Sequence, residues 1–119
     1  MMEIRHLAGC VILKDNAILL LHRKKYDWYE LPGGQVEERE TAEEAAVREL
    51  KEELDVNVKV VRKLDEKPFV LHSITFNYHW FLAEIQDQTP KVVETHTFDE
   101  YRYIPLNDLS NYHLSTNLS

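Results

Sequence analysis

In the segment LHSITFNYHWFLAEI, residues 71 to 85, Ile74, Phe76, Tyr78, Trp80 and Leu82 alternate with Thr75, Asn77, His79, Phe81 and Ala83. A period of two is the pattern of a strand, whose successive side chains leave opposite faces. Both sets turn apolar towards the end of the segment. A strand wet on one side would stay polar there, so the sheet it joins needs helices or loops over both faces. A chain of 119 residues, 44% of them hydrophobic and without a polar low-complexity run, has material for one such core. A single domain over residues 1–119 is expected.

The remaining elements follow from similar signals. Residues 4 to 13 and 17 to 22 are rich in Ile, Val and Leu and flank Lys14-Asp15-Asn16, which predicts an antiparallel hairpin. That turn also halts the apolar run from Leu7 to Leu13, too short for a membrane span or a signal segment, so a soluble cytoplasmic chain with no membrane partner is expected. HRKKYDWYE reads as a polar and aromatic loop. Val56 to Val61 reads as a strand, and Pro68 limits central pairing through LDEKPFV. DQTP is a turn, EYRYIP a last strand and LNDLSNYHLS a short terminal helix. Cys10, the single cysteine, lies in a predicted strand and is assigned to core packing. The formal charge of −7 argues against long nucleic acid as a partner. A small phosphorylated ligand would need divalent cations to offset the acidic surface.

LPGGQVEERETAEEAAVRELKEEL, residues 31 to 54, concentrates eight glutamates. Thr41 and Glu44 form a capping-box pattern that opens a helix running to about Leu54. Ala46, Val47, Leu50 and Leu54 make its apolar stripe. Glu49, Glu52 and Glu53 converge beside that stripe, and Arg48 is the only cation that helical spacing brings to them. Each like-charge pair one turn apart costs roughly 0.2–0.5 kcal/mol on an exposed helix. Two readings of the patch stand at this point: a solvated acidic face, or a site for a divalent cation. Gly33 and Gly34 just before it allow close backbone approach. A few oxygen ligands suit magnesium or manganese.

In register with these residues the chain resembles the Nudix hydrolase family, whose box is matched by Gly34, Glu40, Arg48, Glu49, Leu50, Glu52, Glu53 and Val56, with Asp55 where the pattern has Gly. The resemblance implies an α/β fold, a Nudix-type α/β/α sandwich with a mixed β-sheet, in which residues 34 to 56 form a loop-helix-loop that holds Mg2+ or Mn2+. It implies metal ligands Glu49, Glu52 and Glu53, joined by the Gly33 carbonyl, and a bracing ion pair between Glu40 and Arg48. It further implies metal-dependent hydrolysis of a nucleoside diphosphate linked to another group. The end of the chain looks closest to members that convert a nucleoside triphosphate to monophosphate and pyrophosphate. The general base would be Glu49 or Glu53 of the box, or else Glu94 or Glu100 from later in the chain; the box is favoured. Substrate contacts are expected at Arg23, ahead of Lys24 and Lys25, with a solvated basic loop the alternative, at Gly34 and Glu94, and by stacking at Trp28, beside Tyr26 and Tyr29, with cover of the sheet end the alternative for Trp28 and Tyr29. Phe76, Tyr78 and Trp80 are expected in the core, and the histidines form no metal-ligand spacing. Asp55 puts the helix exit in question, since a left-handed stop costs Asp on the order of 1 kcal/mol. The alternative on the same fold is a non-catalytic nucleotide-sensing or protein-binding module. A homodimer that covers part of one sheet face is a further expectation.

Overall fold

The computed structural model describes residues 3 to 115. Its strands are β1 (Ile4–Val11), β2 (Leu13–Lys14), β3 (Ala17–Arg23), β4 (Trp28–Glu30), β5 (Gly33–Gln35), β6 (Val58–Leu71), β7 (Ile74–Ile85) and β8 (Phe98–Pro105). Helix α1 (Ala42–Leu54) follows β5, and a 3-10 helix (Leu106–Asn111) follows β8.

The strands form two sheets. One is mixed, in the order β5-β1-β7-β6, with β1 parallel to β7 and the other pairs antiparallel. The other is antiparallel and centred on β3, which pairs with β2, β4 and β8. The segment from Ile74 onwards is thus a central strand, as its pattern required.

Three local expectations are redrawn. Asp15 and Asn16 both adopt positive φ, 51° and 63°, which these residues tolerate, and they make the tight turn expected of them. The hairpin they close nevertheless pairs only Leu13 and Lys14 with Ile18 and Ala17. β1 instead runs beside β7 from Ile4↔Thr75 to Val11↔Leu82, where Ala8 and Cys10 are fully buried. Pairing with a central strand buries more of β1 than a two-stranded hairpin could. Second, β6 continues through Pro68, opposite Asn77, to Leu71, because it is an edge strand, where proline is tolerated. Third, the loop HRKKYDWYE contains β4, whose Trp28 lies opposite Arg23.

Both sheets contribute side chains to the core, but the expected cover does not extend over β6, which is largely exposed from Val61 to Leu71. Ala45, Ala46, Leu50 and Leu54 of α1 pack with Cys10, Leu19, Leu21, Phe81 and Phe98 from both sheets. Behind them Ile18, Leu20, Leu31 and Ile104 form a smaller cluster against Trp80, Leu109 and Tyr112. Truncating a fully buried leucine such as Leu50 would cost about 2–5 kcal/mol. Among the described residues no helix is long and apolar enough to cross a membrane.

Candidate functional site

Helix α1 is anchored at both ends. Glu44 N–H donates to Thr41 Oγ1 at 3.1 Å, and Thr41 N–H donates to Glu44 Oε1 at 2.9 Å. Asp55 closes the helix in the left-handed region, φ 53° and ψ 43°, with its N–H on the Lys51 carbonyl. Between these caps the apolar stripe holds α1 against β1 and brings Glu49 and Glu53 down on the Gly33-Gly34 strand. Gly33 N–H donates to Glu53 Oε1 at 2.7 Å. A Cβ on Gly34 would stand 2.5 Å from the Glu49 carboxyl, and one on Gly33 would stand 2.2 Å from the Ala8 carbonyl oxygen. Gly33 is therefore required by space, whereas a Cβ at Gly34 would displace the Glu49 carboxyl.

Arg48 is the hub of the box. Its Nε and Nη2 donate to the two oxygens of Glu40 at 2.7 and 3.0 Å, and Nη2 also reaches the Gln35 carbonyl. Nη1 donates to Glu49 at 3.0 Å and to Glu52 at 3.1 Å. The expected Glu40–Arg48 brace is therefore present as a two-point ion pair, which holds the Glu40 carboxyl below its ordinary range, chiefly through the hydrogen bonds from Arg48. Glu52, half exposed, is turned to Arg48.

Charge on the far side of the patch is poorly compensated. Burial pushes the Glu53 carboxyl well up and the Glu49 charge adds to it, while the Gly33 N–H opposes both. Burial likewise raises Glu49, against the pull of Arg48 and with Glu52 and Glu94 adding to the rise. Glu94 lies in the loop before β8, whose Lys91 and Val93 N–H groups donate to the Leu54 and Glu53 carbonyls. Among the described residues no three histidine, cysteine or carboxylate groups already converge as a ligand set. Two carboxylates and the Gly33-Gly34 backbone are in place, and Glu52 would complete an oxygen-rich set by leaving Arg48. A hard divalent cation suits this donor chemistry.

Beside the Gly33-Gly34 strand opens a cavity of about 460 Å³. Leu7, Phe69, Phe76 and Tyr78 line it from the mixed sheet, and Arg23, Trp28 and Glu30 from the other. Arg23 and Trp28 thus come together with Gly33 and Gly34, while Glu94 is not part of this lining. Arg23 is engaged: its Nε and Nη2 donate to Glu30 at 2.5 and 2.9 Å, and it lies over the Phe98 ring. Trp28 Nε1 donates to the same carboxylate at 2.9 Å. Glu30 is the residue the sequence reading missed. A hairpin joining Arg23 to Trp28 would have signalled it, because the strand that follows places Glu30 within reach of Arg23. Tyr78 is buried in the core as expected and also borders the cavity, whereas Phe76, expected in the core, is half-buried in the cavity wall, stacked on Phe69 at 5.1 Å between centroids.

These features define a class: a mixed α/β domain in which a capped acidic helix lays carboxylates on a Gly-Gly strand beside an aromatic cavity. The family model described as "NUDIX domain" matches residues 4–118, and the chain belongs to that family. It is 44% identical over 54 residues to the Bacillus subtilis (strain 168) protein named "Putative 8-oxo-dGTP diphosphatase", a stretch covering 45% of this chain and 36% of that protein. It is 53% identical over 53 residues to the "ADP-ribose pyrophosphatase" of Methanocaldococcus jannaschii, covering 42% and 31%. These matches span about a third of each relative's length. Over the whole fold, the crystal structure of a MutT NUDIX hydrolase from Burkholderia pseudomallei superposes with a TM-score of 0.89 at 28% identity, covering 97% of this chain and 92% of that one.

Proposed function

We propose that the chain is a divalent-cation-dependent pyrophosphohydrolase acting on a nucleoside diphosphate linked to another group, in the first instance a nucleoside triphosphate cleaved to monophosphate and pyrophosphate. The observation that carries this reading is the seating of Glu49 and Glu53 on the Gly33-Gly34 backbone, which also lines the cavity. Charge for a cation and room for a nucleoside share one strand. The two relatives are named for substrates that both contain a nucleoside diphosphate, which supports the same class.

In this reading Glu49, Glu53 and Glu52, with the Gly33 carbonyl, hold Mg2+ or Mn2+. The bound cation supplies neutralisation of the diphosphate charge and acidification of the attacking water. Arg48 and Glu40 fix the orientation of the carboxylates, and Arg48 takes back Glu52 when the cation leaves. A box carboxylate, Glu49 or Glu53, accepts the proton of the attacking water, with Glu94 the outside candidate. Arg23 keeps its Nη1 edge for a phosphate oxygen while Glu30 holds the rest of the guanidinium. Gly34 lets the diphosphate approach the backbone, and Trp28 stacks on the nucleoside.

The test is a panel of nucleoside triphosphates, oxidised nucleotides, ADP-ribose, nucleotide sugars and dinucleoside polyphosphates, assayed with Mg2+, with Mn2+ and with EDTA. Turnover of at least one class, dependent on the cation, is expected. A folded protein that takes up the cation calorimetrically yet hydrolyses none of them would be a sensing module instead.

A further inference from the structure

The cavity beside the box brings aromatic rings together from both sheets. Phe69 and Phe76 are cross-strand partners whose rings lie 14° from parallel. Trp28 stands with Tyr26 at 4.5 Å between ring centroids, and both also line the cavity. The charged groups of the Arg23–Glu30 pair that could read the edge of a base are committed to each other. Arg23 and Glu30 bind each other at two points, and Glu30 also takes the Trp28 N–H. Among the described residues no Asn, Gln, Asp or Lys lines the cavity, and the other polar side chains there are His72, Ser115 and the phenols of Tyr26 and Tyr78.

Sites built to pair a particular N–H or O–H reject the analogue lacking it by about 10⁴-fold or more, whereas apolar pockets separate near neighbours by only about 10–200-fold. Stacking works on any base, because every base has a π-face. Resting on the reading that the cavity takes the nucleoside, we propose that it selects the base by ring area: purines over pyrimidines, with an 8-oxidised purine accepted as readily as the unmodified one. The Phe69–Phe76 pair on the β6–β7 hairpin is the specificity-determining element, and the Arg23–Glu30 pair does not read the base.

Binding is measured first, without turnover, by quenching of tryptophan fluorescence with dGMP, 8-oxo-dGMP, dAMP, dCMP and dTMP in EDTA. The kcat/KM values of the corresponding triphosphates in Mg2+ follow. Purines are expected to bind about tenfold more tightly than pyrimidines, the range that stacking alone supplies. The oxidised and unmodified guanine nucleotides, equal in ring area, should lie within about threefold of each other if stacking area alone decides. Phe69→Leu and Phe76→Leu, made singly and checked by melting, should each lower purine affinity towards the pyrimidine level and raise KM with little change in kcat. Glu30→Gln should leave the ratio of oxidised to unmodified substrate unchanged. A ratio of tenfold or more between the two guanine nucleotides, equal binding of pyrimidines, or no quenching by any of the five overturns the inference. Absence of hydrolysis with the purine ranking intact would instead overturn only the catalytic reading.

Discussion

Glu53 is nearly inaccessible to solvent, at 3% exposure, and sits in the field of Glu49, so burial and like charge both favour its protonated form. Its folded-state pKa lies above the ordinary value of 4.5. The unfolded chain therefore holds fewer protons between those two values, and stability falls as pH rises through that window. Below 4.5 the penalty is absent. In Glu53→Gln the side-chain oxygen can still accept the Gly33 N–H, and no charge remains to be buried. The expected outcome in EDTA is a melting temperature about 3–5 °C above wild type at pH 8, with little difference at pH 4. Added Mg2+ should reverse the order, since cation at a hundredfold over its Kd stabilises wild type by about 2.7 kcal/mol and the variant has lost a ligand. Turnover should vanish in the variant. Thermal melts across pH, with and without Mg2+, check both parts, and a variant less stable than wild type at pH 8 in EDTA would refute the assignment of Glu53 as an uncompensated charge.

At the scale of elements, α1 was legible nearly to the residue, because its limits are local: Thr41 and Glu44 close a capping box, and Asp55 stops the helix. The strands were less legible where partners lie far along the chain. Nothing within residues 4 to 13 says that β1 will pair with β7, some seventy residues on. The gathering of Glu49, Glu52 and Glu53 beside Arg48 was readable in the same way as the helix, from helical spacing, whereas the Glu40–Arg48 pair was implied by the family resemblance. Glu30 was not, because its link to Arg23 depends on the β3–β4 register. Asp55 carries a local cost in this arrangement: its left-handed conformation is one that glycine adopts freely. What it gains is an exposed ion pair with Lys51 at 2.9 Å, a kind of contact that contributes little. Asp55→Gly is expected to raise the melting temperature by about 2–4 °C. Cation-dependent turnover should change less than about twofold, because Asp55 touches no carboxylate of the patch. Parallel melts and rates decide this, and a fall in melting temperature would mean that the Lys51 contact outweighs the backbone strain.

Across the whole molecule, β5 is the joint between the mixed sheet and the acidic helix: one edge pairs with β1, and its glycines receive Glu49 and Glu53. Neighbouring glycines on this short strand should therefore fail in different ways. A methyl group at Gly33 would meet backbone, the Ala8 carbonyl oxygen at 2.2 Å and the Gly9 Cα at 2.6 Å, so β5 must separate from β1 to admit it. A methyl group at Gly34 would meet the end of a side chain, the Glu49 carboxyl at 2.5 Å, which can swing aside. Gly33→Ala should accordingly lose about 1–3 kcal/mol of stability, the usual cost of overpacking, and lose cation binding with it. Gly34→Ala should melt within about 2 °C of wild type, since a surface-type rearrangement costs little. Its cation affinity and kcat should nevertheless fall by about tenfold or more, since a ligand displaced by as little as an ångström can cost far more than that in rate. Urea unfolding and calorimetric Mg2+ titration of the two variants separate these outcomes. If Gly34→Ala binds and turns over normally, the Glu49 carboxylate does not act from the position it takes against β5, and the coupling of sheet to site through this strand fails.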